Sequence, residues 1–159
     1  MALCRPVRLA FAQRMPRRKH VAKALSYITH ERRLLVFRQP DFPYQGIQVP
    51  GGSVEVGEEL EAAALREARE ETGLAELVVQ SYLGTAAYEL QVDVGDPHLR
   101  HFFHLAYSGP VRERWEHLET KPSTAAPAVR FELWWEPLSS VQLAWDMDAF
   151  LEPLKARLK

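Results

Sequence analysis

A chain of 159 residues with 47% hydrophobic and 26% charged residues has the composition of one globular domain with a real core, not of a disordered or fibrous protein. Its sequence holds no run of about eighteen apolar residues, which excludes a helical membrane span, and its one cysteine, Cys4, cannot form an internal disulfide and points to a reducing, cytoplasmic setting. The net charge of −1 is unevenly placed: Arg5, Arg8, Arg14, Arg17, Arg18 and Lys19 give residues 1–20 a local +6 without an acid, leaving −7 on the remainder, a sign that disfavours nucleic acid as a partner.

Residues 1–20 are expected to be a basic tail ahead of a single domain over 21–159. "VRLAFA" is too short for a secretory signal core, and the Arg-rich, acid-free start also fits a transit peptide or a chain initiated at Met15. From Val21 the pattern turns structured. "VAKALSYI" alternates, "THER" reads as a turn and "LLVF" resumes, which predicts a hairpin of 21–28 with 34–38. "RQPDFPYQG" is broken by Pro40, Pro43 and Gly46 into a loop, and "IQVPGG" is a brief strand ending at the glycine pair. A helix is expected from Glu58 to Thr72, stopped by Gly73 at the position that favours a left-handed residue. Residues 75–92 should give one or two strands, 101–108 another and 129–138 another, with 120–128 a loop. "DMDAFLEPLKARLK" closes the chain as a helix capped by Asp146 and kinked by Pro153. Strands dominate, with one central and one terminal helix, the pattern of a mixed sheet covered by helices.

The central helix is unusual in its acids. Glu67, Glu70 and Glu71 fall on one side of two successive turns, where like charges repel by a few tenths of a kcal/mol per pair. The apolar stripe, Leu60, Ala64, Leu65 and Ala68, is small enough for the helix to lie close on a sheet. A divalent cation with hard oxygen preference would convert that repulsion into attraction. Pro50-Gly51-Gly52 ahead of the helix can turn backbone groups inward. Arg66, four residues before Glu70 and eight after Glu58, can clasp the loop to the helix.

These residues carry a resemblance. "GSVEVGEELEAAALREAREETGL" (52–74) resembles the Nudix box, G-x5-E-x7-R-E-U-x-E-E-x-G-U with U apolar. Gly52, Glu58, Arg66, Glu67, Glu70, Glu71 and Gly73 fill its fixed positions, and Ala68 and Leu74 its apolar ones. The resemblance implies an α/β/α sandwich with a mixed sheet. It also implies a hydrolase that cleaves a nucleoside diphosphate linked to another moiety, by water attack at phosphorus with Mg²⁺ or Mn²⁺. In that reading Glu67, Glu70 and Glu71 are metal ligands, one of them or another acid is the general base, a Gly51 or Gly52 carbonyl completes the shell, and Arg66 and Glu58 orient it. Glu132 is the expected additional acid, with Glu116 and Glu119 as rivals. Arg38 is a candidate phosphate contact and Tyr44 a candidate base contact, as are Phe42, Trp115, Trp134 and Trp135 among the aromatics. The markers of ADP-ribose and diadenosine polyphosphate hydrolases are absent after the box, where the chain reads "YELQV". The alternatives are a non-enzymatic nucleotide-sensing module, which would not need all three ligands, and an RNA 5′-end hydrolase, which would need a basic groove.

Overall fold

The computed structural model describes residues 19–89, 96–119 and 127–158. The expectations for residues 1–18, and most of those for the 120–128 loop, lie outside these. β1 (Val21–His30) and β2 (Arg33–Arg38) form the hairpin, extended to a two-residue turn with Glu31 left-handed at φ 54°. The next strand, β3 (Gly51–Ser53), begins where the sequence suggested that one should end. Pro50 has no N–H to give a ladder, so Gln48 makes only an isolated bridge to Phe37. The glycines themselves pair with β1, Gly51 to Leu25 and Gly52 to Ala24.

The helix α1 (Leu60–Thr72) ends at Gly73 with φ 72°, a conformation that glycine takes without the Cβ penalty. It starts two residues after Glu58, whose carboxylate accepts from Glu55 N at 2.9 Å and closes a turn ahead of it. β4 (Leu77–Tyr88) is one bulged strand, followed by β5 (His98–Tyr107), β6 (Arg114–Glu119) and β7 (Val129–Pro137). β6 was not anticipated. Its sequence, RWEHLE, has only two apolar residues because one of its faces is solvated. The terminal helix is shorter than expected: α2 spans Leu151–Arg157 with Phe150 at its N-cap. Asp146 does not cap it, since Trp145 and Asp146 are both left-handed (φ 59° and 55°). Pro153 falls in its first turn, where no intrahelical N–H bond is lost.

The sheet order is β4-β5-β1-β2-β7-β6, with β3 on β1. Only β1 and β5 run parallel; the other pairings are antiparallel. One face carries Ala24, Ile28, Leu35, Phe103, Phe131 and Leu133 against Ala63, Ala64 and Ala68 of α1. The other carries Leu25, Tyr27, Leu34, Val36 and Phe102 against Leu151 and Leu154 of α2. This is an α/β/α sandwich. The three alanines are fully buried, and Ser26 Oγ reaches across to donate to the Ala64 carbonyl at 3.2 Å. A helix held that close leaves no room for larger residues, and added methylenes would cost about 1–3 kcal/mol. Leu60 and Leu65 lie at the border of this core, while Glu67 and Glu71 occupy buried positions on the helix.

Candidate active site

Two buried carboxylates on a helix face need partners, and the surrounding elements supply them. Arg66 is the hub. Its Nε and Nη2 donate to the two oxygens of Glu58 at 2.8 and 2.9 Å, Nη2 to the Ser53 carbonyl at 3.0 Å, and Nη1 to Glu67 at 2.8 Å and Glu70 at 3.2 Å. The guanidinium therefore ties β3, the turn before the helix and two helical carboxylates into one unit. These bonds hold the Glu58 carboxyl down at about 2 and raise the Arg66 guanidinium. Glu71 turns instead toward the glycine loop and accepts from Gly51 N at 2.8 Å. Burial pushes its carboxyl well above the usual range, and the neighbouring Glu67, Glu119 and Glu70 charges add to this against the Gly51 bond.

Gly52 is required by proximity. Any side chain there would overlap the Glu67 carboxylate, so the glycine lets the acid lie against the backbone of β3. Burial raises the Glu67 carboxyl, with Arg66 and Lys23 opposing.

A further acid near the box carboxylates comes from β6. Trp115 Nε1 donates to the Thr72 carbonyl at 3.0 Å, and His117 Nε2 bonds the Glu70 carbonyl at 2.8 Å, so two consecutive inward positions of β6 dock onto the end of α1. Two residues further on, the same face presents Glu119. Its carboxylate oxygen lies with those of Glu67 and Glu70 within 4.8 Å of one another, and its carboxyl is raised by burial and then by those two charges. Glu132, the preferred sequence candidate, is not in this cluster. It pairs with Glu116 across β6 and β7, one position out of phase with Phe131 and Leu133 of the α1-side core, and so points to the opposite face. There Arg38 and Arg114 hold it, each at 2.5 Å. The rival Glu116 shares that face and pairs with Arg130 at 3.5 Å. Arg38 is thus engaged with Glu132 and lines a groove with Pro40, Pro43 and Ile47, while Tyr44 is 71% exposed. Neither lines the cavity at the carboxylates. Trp115 docks the helix, Trp135 is buried in the core with its Nε1 on the Arg112 carbonyl, and Trp134 bonds Glu136.

That cavity, about 190 Å³, runs from Glu71, Gly51 and Gly52 to Lys23, Gln48, His98, Arg100 and Met147. Lys23 and Arg100 escaped the sequence reading, Lys23 as one polar residue in an alternating strand and Arg100 as the residue just ahead of the strand expected over 101–108. Burial lowers the basicity of both.

The chemistry of the donor set fits a divalent cation. Three carboxylates converge, two of them buried, and such hard oxygen ligands suit Mg²⁺ or Mn²⁺.

The family profile for the NUDIX domain matches residues 19–158. Among solved structures, the E. coli dihydroneopterin triphosphate pyrophosphohydrolase is similar at 18% identity and TM-score 0.64, over 87% of this chain and 98% of that one. A C. elegans Ap4A hydrolase matches at 21% and 0.62, over 87% and 97%. A UDP-X diphosphatase matches at 16% and 0.62, over 89% of this chain, which spans only 65% of that protein. A search of curated proteins gave no match. With the profile covering nearly the whole chain and each fixed position of the box filled, this protein belongs to the Nudix hydrolase family.

Proposed function

We propose that the protein is a divalent-metal-dependent pyrophosphohydrolase acting on a nucleoside diphosphate linked to another moiety. The observation that carries this reading is the convergence of Glu67, Glu70 and Glu119 within 4.8 Å, braced by Arg66 and seated against Gly52. Mg²⁺ or Mn²⁺ would be held by Glu67, Glu70 and Glu119, with Glu71 at the adjoining glycine loop. Bound there, it would neutralise phosphate oxygens and ease deprotonation of the attacking water. The chain's own residues do the rest. Arg66 fixes the carboxylates relative to β3 through its bonds to Glu58 and Ser53. One of these carboxylates, or another acid, would accept the proton from water. Lys23 and Arg100 line the cavity that Glu71 borders.

The solved structures that share the fold include enzymes named for UDP-X, Ap4A and dihydroneopterin triphosphate, all substrates with phosphoanhydride bonds. Among the described residues no helix is long and apolar enough to cross a membrane, and a cytoplasmic location is proposed on the single cysteine. The test is a panel of nucleotides and nucleotide conjugates with Mg²⁺ or Mn²⁺, read out as released phosphate or pyrophosphate. Metal-dependent release from at least one substrate is expected. Full turnover in excess chelator would sink the metal assignment.

A further inference from the structure

The cavity that Glu71 and the glycine loop border is also lined by two cations that the reaction chemistry does not require. Lys23 on β1 and Arg100 on β5 are direct cross-strand partners, and like charges so placed oppose sheet formation. Arg100 is 6% exposed. Its guanidinium lies 3.5 Å over the Tyr88 ring, and its hydrogen bond among the described residues goes to the Trp145 carbonyl. Lys23 Nζ donates to Ser53 Oγ at 2.7 Å, one of three donor positions. Neither cation is in an ion pair with a described carboxylate. No fully buried side-chain nitrogen among the described residues is left without a partner. Arg100 and Lys23 line the same cavity.

The arrangement also has a mount. Trp145, whose carbonyl receives Arg100, is left-handed together with Asp146, and such strain in non-glycine residues persists only where the surroundings enforce it. Tyr27 Oη donates to the Met147 carbonyl at 2.5 Å, and Trp145 Nε1 to the Gln45 carbonyl at 2.6 Å. The guanidinium is thus stacked on the Tyr88 ring and fixed to the Trp145 carbonyl at the border of the cavity.

We infer that Lys23 and Arg100 form a second anion subsite, which takes a phosphate of the substrate beyond the two joined by the bond that is broken. This rests on the proposed hydrolase reading. With cations seated among the carboxylates, both walls of the cavity are positive, and a phosphate chain neutralises both at once. The substrate class is therefore a chain of three or more phosphates, as in a nucleoside triphosphate, not a nucleoside diphosphate joined to an uncharged sugar.

The test separates binding from turnover. Inorganic tripolyphosphate is titrated calorimetrically into the full chain at a fixed saturating Mg²⁺ concentration, so that the carboxylates do not repel it and the Met variants isolate the contribution of the two cations. Saturable binding is expected, weakened at least about tenfold in Lys23→Met and in Arg100→Met by loss of a charge-assisted contact. Arg100→Lys should recover part of it, because the charge remains while the fork is lost. Circular dichroism and melting establish that each variant is folded. Arg157→Met, which removes a cation bonded to Ser81 on the outer strand, should leave the affinity unchanged. Absence of binding in the wild type, unchanged affinity in both folded Met variants, equal weakening by Arg157→Met, or orthophosphate binding as tightly as tripolyphosphate would each overturn the subsite. Tripolyphosphate binding without hydrolysis of any nucleotide would instead defeat the hydrolase reading and leave the subsite standing.

Discussion

Arg66→Ala tests whether the arginine orders the site or grips the substrate. The substitution deletes five hydrogen bonds, two of them the bidentate pair to Glu58 at 2.8 and 2.9 Å. It leaves Glu58, Glu67 and Glu70 without their shared cation and the Ser53 carbonyl without that donor. Breaking a fully buried ion pair costs about 3–5 kcal/mol. Here the Arg66 side chain is 23% exposed and Glu58 15%, so solvent screens the loss and about 2–3 kcal/mol is expected. For a chain of this size that is a fall in Tm of roughly 4–12 °C, readable by calorimetry in chelator. Arg66 touches carboxylates and a carbonyl, so its loss misplaces ligands without removing a phosphate contact. A misplacement of the order of 1 Å costs about a hundredfold in kcat, with KM little changed. Arg66→Lys should restore only part, since an ammonium cannot match the two oxygens of Glu58. A raised KM with kcat intact would show that the arginine grips substrate throughout, and the orienting role would be wrong.

Three further outcomes follow from the same geometry. Gly52→Ala forces the Glu67 carboxylate off β3 and should lower kcat by about a hundredfold, with about 1–3 kcal/mol of destabilisation; a fully active variant would contradict the contact. Glu119→Gln should weaken Mg²⁺ or Mn²⁺ binding at least about tenfold, whereas Glu132→Gln, on the opposite face with Arg38 and Arg114, should not; calorimetric titration of metal decides, and the reverse order would reinstate Glu132. Glu71→Gln should stabilise the metal-free protein at pH 8, because burial raises the native carboxyl above its ordinary value of 4.5. The native state then holds that proton more tightly than the unfolded chain, so the charge costs stability above the raised pKa and the cost vanishes as pH falls to about 4.5. A difference in Tm between variant and wild type that does not vary with pH would refute this.

How much of this was legible in the sequence depends on how local each feature is. The box is local: its seven fixed residues, the helix and the glycine stop at Gly73 could be read directly, and Arg66 does pair with Glu58 and Glu70. The hairpin and the later strands followed from alternation. Which acid lies beside the box carboxylates was narrowed only to Glu132, Glu116 and Glu119, for two physical reasons. β6 has a solvated face and only Trp115 and Leu118 as apolar residues, so it gave no strand signal, and Glu119 had no face assigned to it. In β7 the alternation was clear, but a sheet covered on both sides buries apolar residues on both faces: Phe131 and Leu133 face α1 while Trp134 packs with the α2 side. The pattern gives the phase of Glu132 and not which helix it meets. The false start of the last helix has a similar cause. The left-handed Trp145 and Asp146 are held through Arg100 and by Tyr27 at Met147, long-range contacts that no local propensity encodes.

The position of the acids along α1 bears on the proposed cation site. Glu70 and Glu71 stand in the last turn, at the negative end of the helix dipole, where carboxylates are disfavoured; near the first turn the same charges would have been stabilised without help. Docking by Trp115 and His117 satisfies the Thr72 and Glu70 carbonyls and adds Glu119, a further negative charge, to the same spot. Arg66 supplies one positive charge to three carboxylates. Helix end, box acids and strand acid therefore all raise the local negative potential, which Arg66 and Lys23 offset only in part. A site tuned for the stability of the bare protein would place these charges elsewhere. One that concentrates them on a rigid, alanine-seated helix holds in reserve an attraction that a divalent cation satisfies on binding.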